Sequence, residues 1–308
     1  DGDFNRAAVA MDVEGNQMVV LGRRTSNNLT QDGGYWTARI TIESSGLLSL
    51  GAVTTLQTGQ PRLPVDIAFR RDYPIGLGPI SRPYYVAYTF HDSTAVNAAR
   101  RPCVARINGS NQIDPGFGEN GLLCFPFIDG GNDRDVAVAL HTRRFGLFDN
   151  NEALYLVVDV QRTRANGTGI VNLTNGIADA SFGPGGKRLY GGCRGFAAGD
   201  GEGCSSSVGS ARGHRPLAVH SSPAGVFVAG YREALSSSNP TLVRPMMMDI
   251  DASNGALRSI GVFGDLPGSR FTDLTPRGTD GLQYNLVGWS SAGEGAASNR
   301  SFLSGHVI

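Results

Sequence analysis

Lysine is nearly missing from this chain: of 27 basic residues Lys187 is the only lysine and the other 26 are arginine, a bias that fits codon usage in a GC-rich bacterial genome. Excess charge is missing as well. The 27 basic residues meet 27 acidic ones for a formal net charge of zero. That balance leaves no basic surface for nucleic acid and no acidic solvating tail. No run of 18 apolar residues occurs, so no segment reads as a membrane-spanning helix. The chain begins at Asp1 with neither Met nor a signal peptide, which leads us to expect a processed, exported product.

Catalytic signatures are equally sparse. There is no phosphate loop, no H-E-x-x-H and no dinucleotide fingerprint. Gly288-Trp289-Ser290-Ser291-Ala292 lacks the last glycine of a nucleophile elbow. His91-Asp92-Ser93 holds the residue types of a triad, but adjacent loop residues cannot take up a geometry assembled from separate segments. Paired carboxylates for glycoside chemistry would come from different segments, where spacing cannot reveal them.

What the chain has instead is repetition. Asp114-Pro115-Gly116-Phe117-Gly118-Glu119-Asn120-Gly121 returns 65 residues later as Asp179-Ala180-Ser181-Phe182-Gly183-Pro184-Gly185-Gly186, the pattern D-x-x-F-G-x-x-G. One such unit cannot bury its own apolar face, so units must stack. Aligning the apolar runs yields five units, approximately 6–60, 61–130, 131–213, 214–268 and 269–308. Their opening strands are Ala8-Val9-Ala10-Met11, Asp66-Ile67-Ala68-Phe69, Ala137-Val138-Ala139-Leu140, Pro216-Leu217-Ala218-Val219 and Phe271-Thr272-Asp273-Leu274. A strongly β-prone second strand follows each, then a polar loop, a third strand, a turn and an outer strand. Four strands per unit predict an all-β fold, a β-propeller of five four-stranded blades in a single domain over 1–308. The fifth unit stops at Ile308 after its third strand, so we expect it to be incomplete or completed by a strand from elsewhere.

The small-residue inner strand, the Val228-Ala229-Gly230-Tyr231 type of second strand and the turn at Asp114 and Asp179 resemble the delta-60 repeat family of bacterial β-propellers. The resemblance spans nearly the whole chain, although only a remnant of the turn, Gly261-Val262-Phe263-Gly264, survives in unit four and units one and five lack it. It implies the fold and an exported setting, and it implies no defined reaction and no catalytic residue.

The four cysteines form two local pairs, Cys103 with Cys124 and Cys193 with Cys204, which suggests disulfides in an oxidising compartment. The first would staple a hairpin, and the second would close a glycine-rich loop for roughly 2 to 3 kcal/mol. No C-x-x-C and no suitably spaced His favours metal instead. Aligning the inner strands puts Asp12, Arg70, His141, His220 and Thr275 at corresponding positions, where a ring of polar groups at one channel mouth would hold an anion, a water cluster or a metal. On the other face, long loops rich in Ser, Asn and Arg, with Tyr35, Trp36, Tyr231 and Trp289 for stacking, suit a glycan or a protein. Asp249, Asp251 and Asn254 before Gly255 resemble part of a calcium loop, although turn chemistry explains the same residues. The functional expectation is an exported, non-enzymatic scaffold, secreted, on the cell surface or periplasmic. It would bind a protein, a glycan or a further copy through its loop face or last-blade edge, with no cofactor unless calcium binds at Asp249, Asp251 and Asn254. A propeller hydrolase or lyase acting on carbohydrate is the alternative.

Overall fold

The computed structural model describes residues 4–26, 32–56, 62–71, 82–91, 99–127, 135–145, 151–161, 167–191, 212–223, 225–234, 243–263, 269–276, 283–291 and 299–307. The chain divides into two compact units, 1–153 and 154–308.

The first unit opens with β1 (Phe4–Glu14), β2 (Gln17–Ser26), β3 (Asp32–Ile42) and β4 (Leu48–Leu56), an antiparallel meander in chain order. Its hairpin signals are local. Gly15 takes the left-handed conformation between β1 and β2, and Gly46 does so in the turn that enters β4. The second meander is β5 (Arg62–Phe69), β6 (Tyr84–His91), β7 (Arg100–Ile107) and β8 (Leu122–Cys124). Cys103 and Cys124 stand directly opposite each other in β7 and β8 and form the expected disulfide. The next strand, β9 (Val136–Arg144), completes the unit together with the first residues of β10 (Glu152–Val160). Val19, Leu21 and Tyr35 of the first sheet close over Ile67, Phe69, Tyr84 and Val86 of the second, forming one apolar core.

In the second unit β10 is buried along its whole length and neighbours β11 (Gly167–Thr174). A short hairpin strand, β12 (Ile177–Ala178), follows, and β13 (Lys187–Tyr190) pairs with β11 as the outer strand. A four-stranded meander comes next: β14 (Arg212–Ser222), β15 (Gly225–Ala234), β16 (Val243–Ile250) and β17 (Leu257–Val262). The last sheet has three strands, β18 (Ser269–Pro276), β19 (Gln283–Ser291) and β20 (Asn299–Val307). Ala218, Phe227, Ala229 and Met247 pack against Phe271, Leu274, Tyr284 and Leu286 as the core between these two sheets.

Five successive antiparallel meanders, one per sequence unit, are the blades of an all-β, β-propeller-type fold, and the last shows three strands among the described residues. The repeated turn marks the entry to the outer strand. Asp114 accepts the amide of Gly116 on its side chain and that of Phe117 on its carbonyl, and Asp179 treats Ser181 and Phe182 in the same way. Both phenylalanines are driven into the core against second-strand tyrosines, Phe117 on Tyr85 and Phe182 on Tyr155. Gly118 is required there, because its φ of 58° is left-handed and a Cβ would lie 2.1 Å from the Leu122 carbonyl oxygen.

The inner strands share a second device, a register shift against their partners. It falls between Ala8 and Ala10, Pro64 and Asp66, Pro216 and Ala218, and Phe271 and Asp273. A bulge adds twist and re-aims side chains. Its recurrence fixes which residues correspond from blade to blade.

Candidate functional site

Aligned on that bulge, the residue matching Asp12, His220 and Thr275 in the second blade is Ala68, and Arg70 lies two positions further on. The expected polar ring is therefore out of register at Arg70, because the sequence alignment could not see that the second opening strand starts two residues earlier. Thr275 is exposed on β18, His141 is half-buried on β9, and His220 packs edge-on against Tyr284 with Nδ1 3.3 Å from its hydroxyl.

Asp12 and Arg70 do belong to one polar network in the first unit, organised by Arg71. The Arg71 guanidinium donates to both oxygens of Asp12, at 2.9 and 2.8 Å, and ion-pairs with Glu14, which Arg82 contacts at 3.1 Å. Its backbone N–H donates to Glu152 Oε2 at 2.8 Å, and its Nε donates to the Thr142 hydroxyl at 3.3 Å. Thr142 in turn donates to the Phe69 carbonyl at 2.6 Å, while the Phe69 amide donates to Asp12 at 2.8 Å. Three arginines and three carboxylates thus hold the ends of β1, β5 and β10 together.

Glu152 is wholly buried at the head of β10, where it accepts the Tyr85 hydroxyl proton and has Arg70 Nε at 3.6 Å. Burial first, and the neighbouring Glu152 charge second, push the Tyr85 phenol far above its ordinary range, so it stays a hydrogen-bond donor. The single signals for this network were the Arg70-Arg71 pair closing an apolar strand and one Glu heading an otherwise apolar run. Arg71, Glu14, Arg82, Tyr85 and Glu152 were not singled out from sequence.

The second unit has its own buried carboxylate. Asp159, at the far end of β10, ion-pairs with Arg215 of β14 and accepts from Gln161 at 3.2 Å, and Arg215 lies 3.4 Å from Glu233. Burial raises the Asp159 carboxyl above its usual range, against the pull of Arg215.

Of the four aromatic residues assigned to the loop face, Tyr35 and Trp36 were expected in a loop and lie in a strand, whereas Tyr231 and Trp289 lie at the ends of second strands, as read from the sequence. Tyr35 and Trp36 belong to β3 because its ladder runs on through polar residues past the apolar run, and Tyr231 belongs to β15 and Trp289 to β19. Tyr35 is core, Trp36 lies across Gly22, and Tyr231 is covered by the Arg270 guanidinium at 4.6 Å. The Trp289 side chain lies outside the described residues, as do Cys193 and Cys204.

At the proposed calcium residues, Arg258 reaches Asp249 at 3.7 Å and Asp251 at 3.0 Å. Asp251 also accepts the Ser253 amide and hydroxyl, and Asn254 accepts the Ala256 amide. These bonds from Ser253, reinforced by Arg258, hold the Asp251 carboxyl at a pKa of about 2. Here the structure shows a capped hairpin turn whose oxygens face protein donors. It repeats the Asx geometry of Asp114 and Asp179.

No family model matches the chain, and no curated protein matches it. Among solved structures, the hemagglutinin-neuraminidase ectodomain of parainfluenza virus 5 aligns with 99% of this chain and 71% of its own, at 8% identity and a TM-score of 0.46. An exo-1,5-alpha-L-arabinanase from a bovine ruminal metagenomic library aligns with 96% of this chain and 90% of its own, at 10% identity and a TM-score of 0.37. At such scores no residue role passes to this chain.

Proposed function

We propose that this protein is an exported, non-enzymatic scaffold of the delta-60 repeat type, which captures an extended segment of a protein partner on the edge of its last blade. The observation that carries the reading is β20. Among the described strands its nine residues pair with β19 alone, in a three-stranded sheet where the other blades supply an outer strand. A row of unpaired backbone donors and acceptors is a template for strand addition. The disulfide is compatible with an oxidising compartment, and no described helix is long and apolar enough to cross a membrane.

Carbohydrate hydrolysis finds less support in the carboxylates that come together. Asp12 and Glu14 are both engaged by Arg71, and Glu152 is enclosed with Tyr85 and the Arg71 backbone. A general acid needs an open approach to its substrate.

The test uses the whole chain and a peptide of residues 256–263, which contains β17, the outer strand of the fourth blade. Hydrogen exchange should show alternate amides of 299–307 gaining protection as the peptide is added, with no change in β7 or β16. Unaltered exchange across 299–307 at millimolar peptide sinks the strand-addition reading.

A further inference from the structure

Four charged side chains of alternating sign gather at one end of the second unit, and all of them lie within 154–308. Asp159 stands at the close of β10, Arg215 near the start of β14, Glu233 at the close of β15 and Arg270 at the start of β18. Antiparallel pairing sets Arg215 opposite Tyr231 and Gly213 opposite Glu233, while Asp159 reaches Arg215 and Arg270 covers Tyr231. Second strands pass to third strands at this end, which is the loop face of the sequence reading.

The repeat by itself does not require these residues. Arg215 and Arg270 each directly precede the inner-strand register shift, and their counterparts in the first and second blades are Ala7 and Leu63. Asp159 lies four residues beyond Tyr155, as Thr89 lies four beyond Tyr85, and those two tyrosines correspond through their phenylalanine partners. Thr89 accepts the Ala137 amide on its hydroxyl, a neutral and satisfied arrangement. Asp159 is neither. It is 8% exposed, and both of its donors, the Arg215 guanidinium and the Gln161 amide, land on Oδ2. Oδ1 is closed off with no hydrogen-bond donor among the described residues. A buried acceptor left unmade is costly and calls for an explanation. Burial holds the carboxyl above its ordinary range, as expected of an acceptor short of donors.

The groups around it are also incompletely bonded. Arg215 Nε lies 3.4 Å from Glu233 without a hydrogen bond, and the Glu233 carboxylate accepts none among the described residues. Arg270 lies 4.6 Å from the Tyr231 ring centre, while the Tyr231 hydroxyl bonds no described residue. The formal charges of Asp159, Glu233, Arg215 and Arg270 cancel. A cationic ligand would meet two arginines and an anionic one two carboxylates, and like charges at close quarters are unfavourable. A hydroxyl group both donates and accepts without carrying charge. We propose that this end of the second unit binds a neutral sugar, with one hydroxyl donating to Asp159 Oδ1, an adjacent one donating to Glu233, and the Tyr231 hydroxyl as a third contact. The site draws nothing from the β20 edge and stands or falls independently of it.

The test is saturation-transfer NMR on the whole chain with the methyl glycosides of glucose, galactose, mannose and xylose at millimolar concentration. At least one sugar should receive transfer. Tyr231→Phe removes a hydroxyl outside the bonds of the fold, so it should leave the chain folded and weaken that sugar by about 5-fold or more, as should Glu233→Gln. Asp159→Asn should weaken it by about 10-fold or more. The Asp159 carboxyl, followed by carbon-13 NMR, should titrate at lower pH with the sugar bound, because a donor to Oδ1 favours the ionised form. The methyl glycosides of glucosamine and glucuronic acid should bind about 10-fold more weakly than the neutral parent. Absence of transfer from the folded chain to every neutral sugar overturns the proposal. So does binding that survives both Tyr231→Phe and Glu233→Gln unchanged, or a preference for either charged sugar.

Discussion

Replacing Glu152 with Gln separates a structural carboxylate from a functional one. The wild-type carboxylate, itself fully buried, accepts the Tyr85 hydroxyl and the Arg71 amide and lies 3.6 Å from the partly exposed Arg70. Glutamine keeps the shape, and its one carbonyl oxygen still accepts from Tyr85. Its NH2 group then meets the Arg71 N–H, donor against donor, and the charge that balanced Arg70 is gone. A charged-acceptor hydrogen bond is worth about 1.5 to 3 kcal/mol, and breaking one side of a buried ion pair costs about 3 to 5 kcal/mol. With Arg70 still partly solvated and one bond retained, the expected loss is about 2 to 4 kcal/mol. Urea unfolding followed by circular dichroism, with hydrogen exchange at β6 as the local report, should show it. Tyr85→Phe removes only the hydroxyl and should cost about 1 to 2 kcal/mol, and the double variant should couple by at least about 1 kcal/mol. A neutral or stabilising Glu152→Gln would refute the structural assignment, because groups kept for function at a cost to the fold behave that way.

Other perturbations test the remaining devices. Changing both Cys103 and Cys124 to Ser, which opens a link 21 residues long in sequence, should lower stability by about 3 kcal/mol, seen as a fall in Tm that reductant reproduces in the parent. Gly118→Ala forces a left-handed residue against the Leu122 carbonyl and should cost at least about 2 kcal/mol, whereas Gly15→Ala, with open space around it, should cost about 1 kcal/mol; denaturation of the pair decides. Asp251 has a folded pKa of about 2, below the ordinary carboxyl value of 3.8, so its stabilising contribution is full above that ordinary value and disappears as pH falls through about 2. Because this carboxyl is close to solvent, Asp251→Asn should cost only about 1 kcal/mol at pH 7, with the difference from wild type closing by pH 2 in acid titrations.

The five meanders, the hairpin disulfide and the turn marker were legible in the sequence because each has a local cause: strand period, residue spacing or turn chemistry. Register was not. The bulge that shifts the second inner strand comes from backbone pairing, so Arg70 was matched to Asp12 two positions out of place. Strand length was misjudged for a related reason. Tyr35 and Trp36 sit among polar neighbours, and only the ladder beside them shows that one points into the core and the other across Gly22. The Arg71 network escaped because its members come from strands separated by up to 81 residues.

The amide of Phe69 donates to Asp12 and that of Leu140 to Asp66, so in each case an inner strand places a backbone proton on a carboxylate of the blade before it. Exchange at either amide therefore monitors the neighbour, and it would rise when the preceding blade loosens even while its own sheet stays paired. A blade cut out by itself would carry away a donor with no acceptor, and would leave behind an acceptor with no donor.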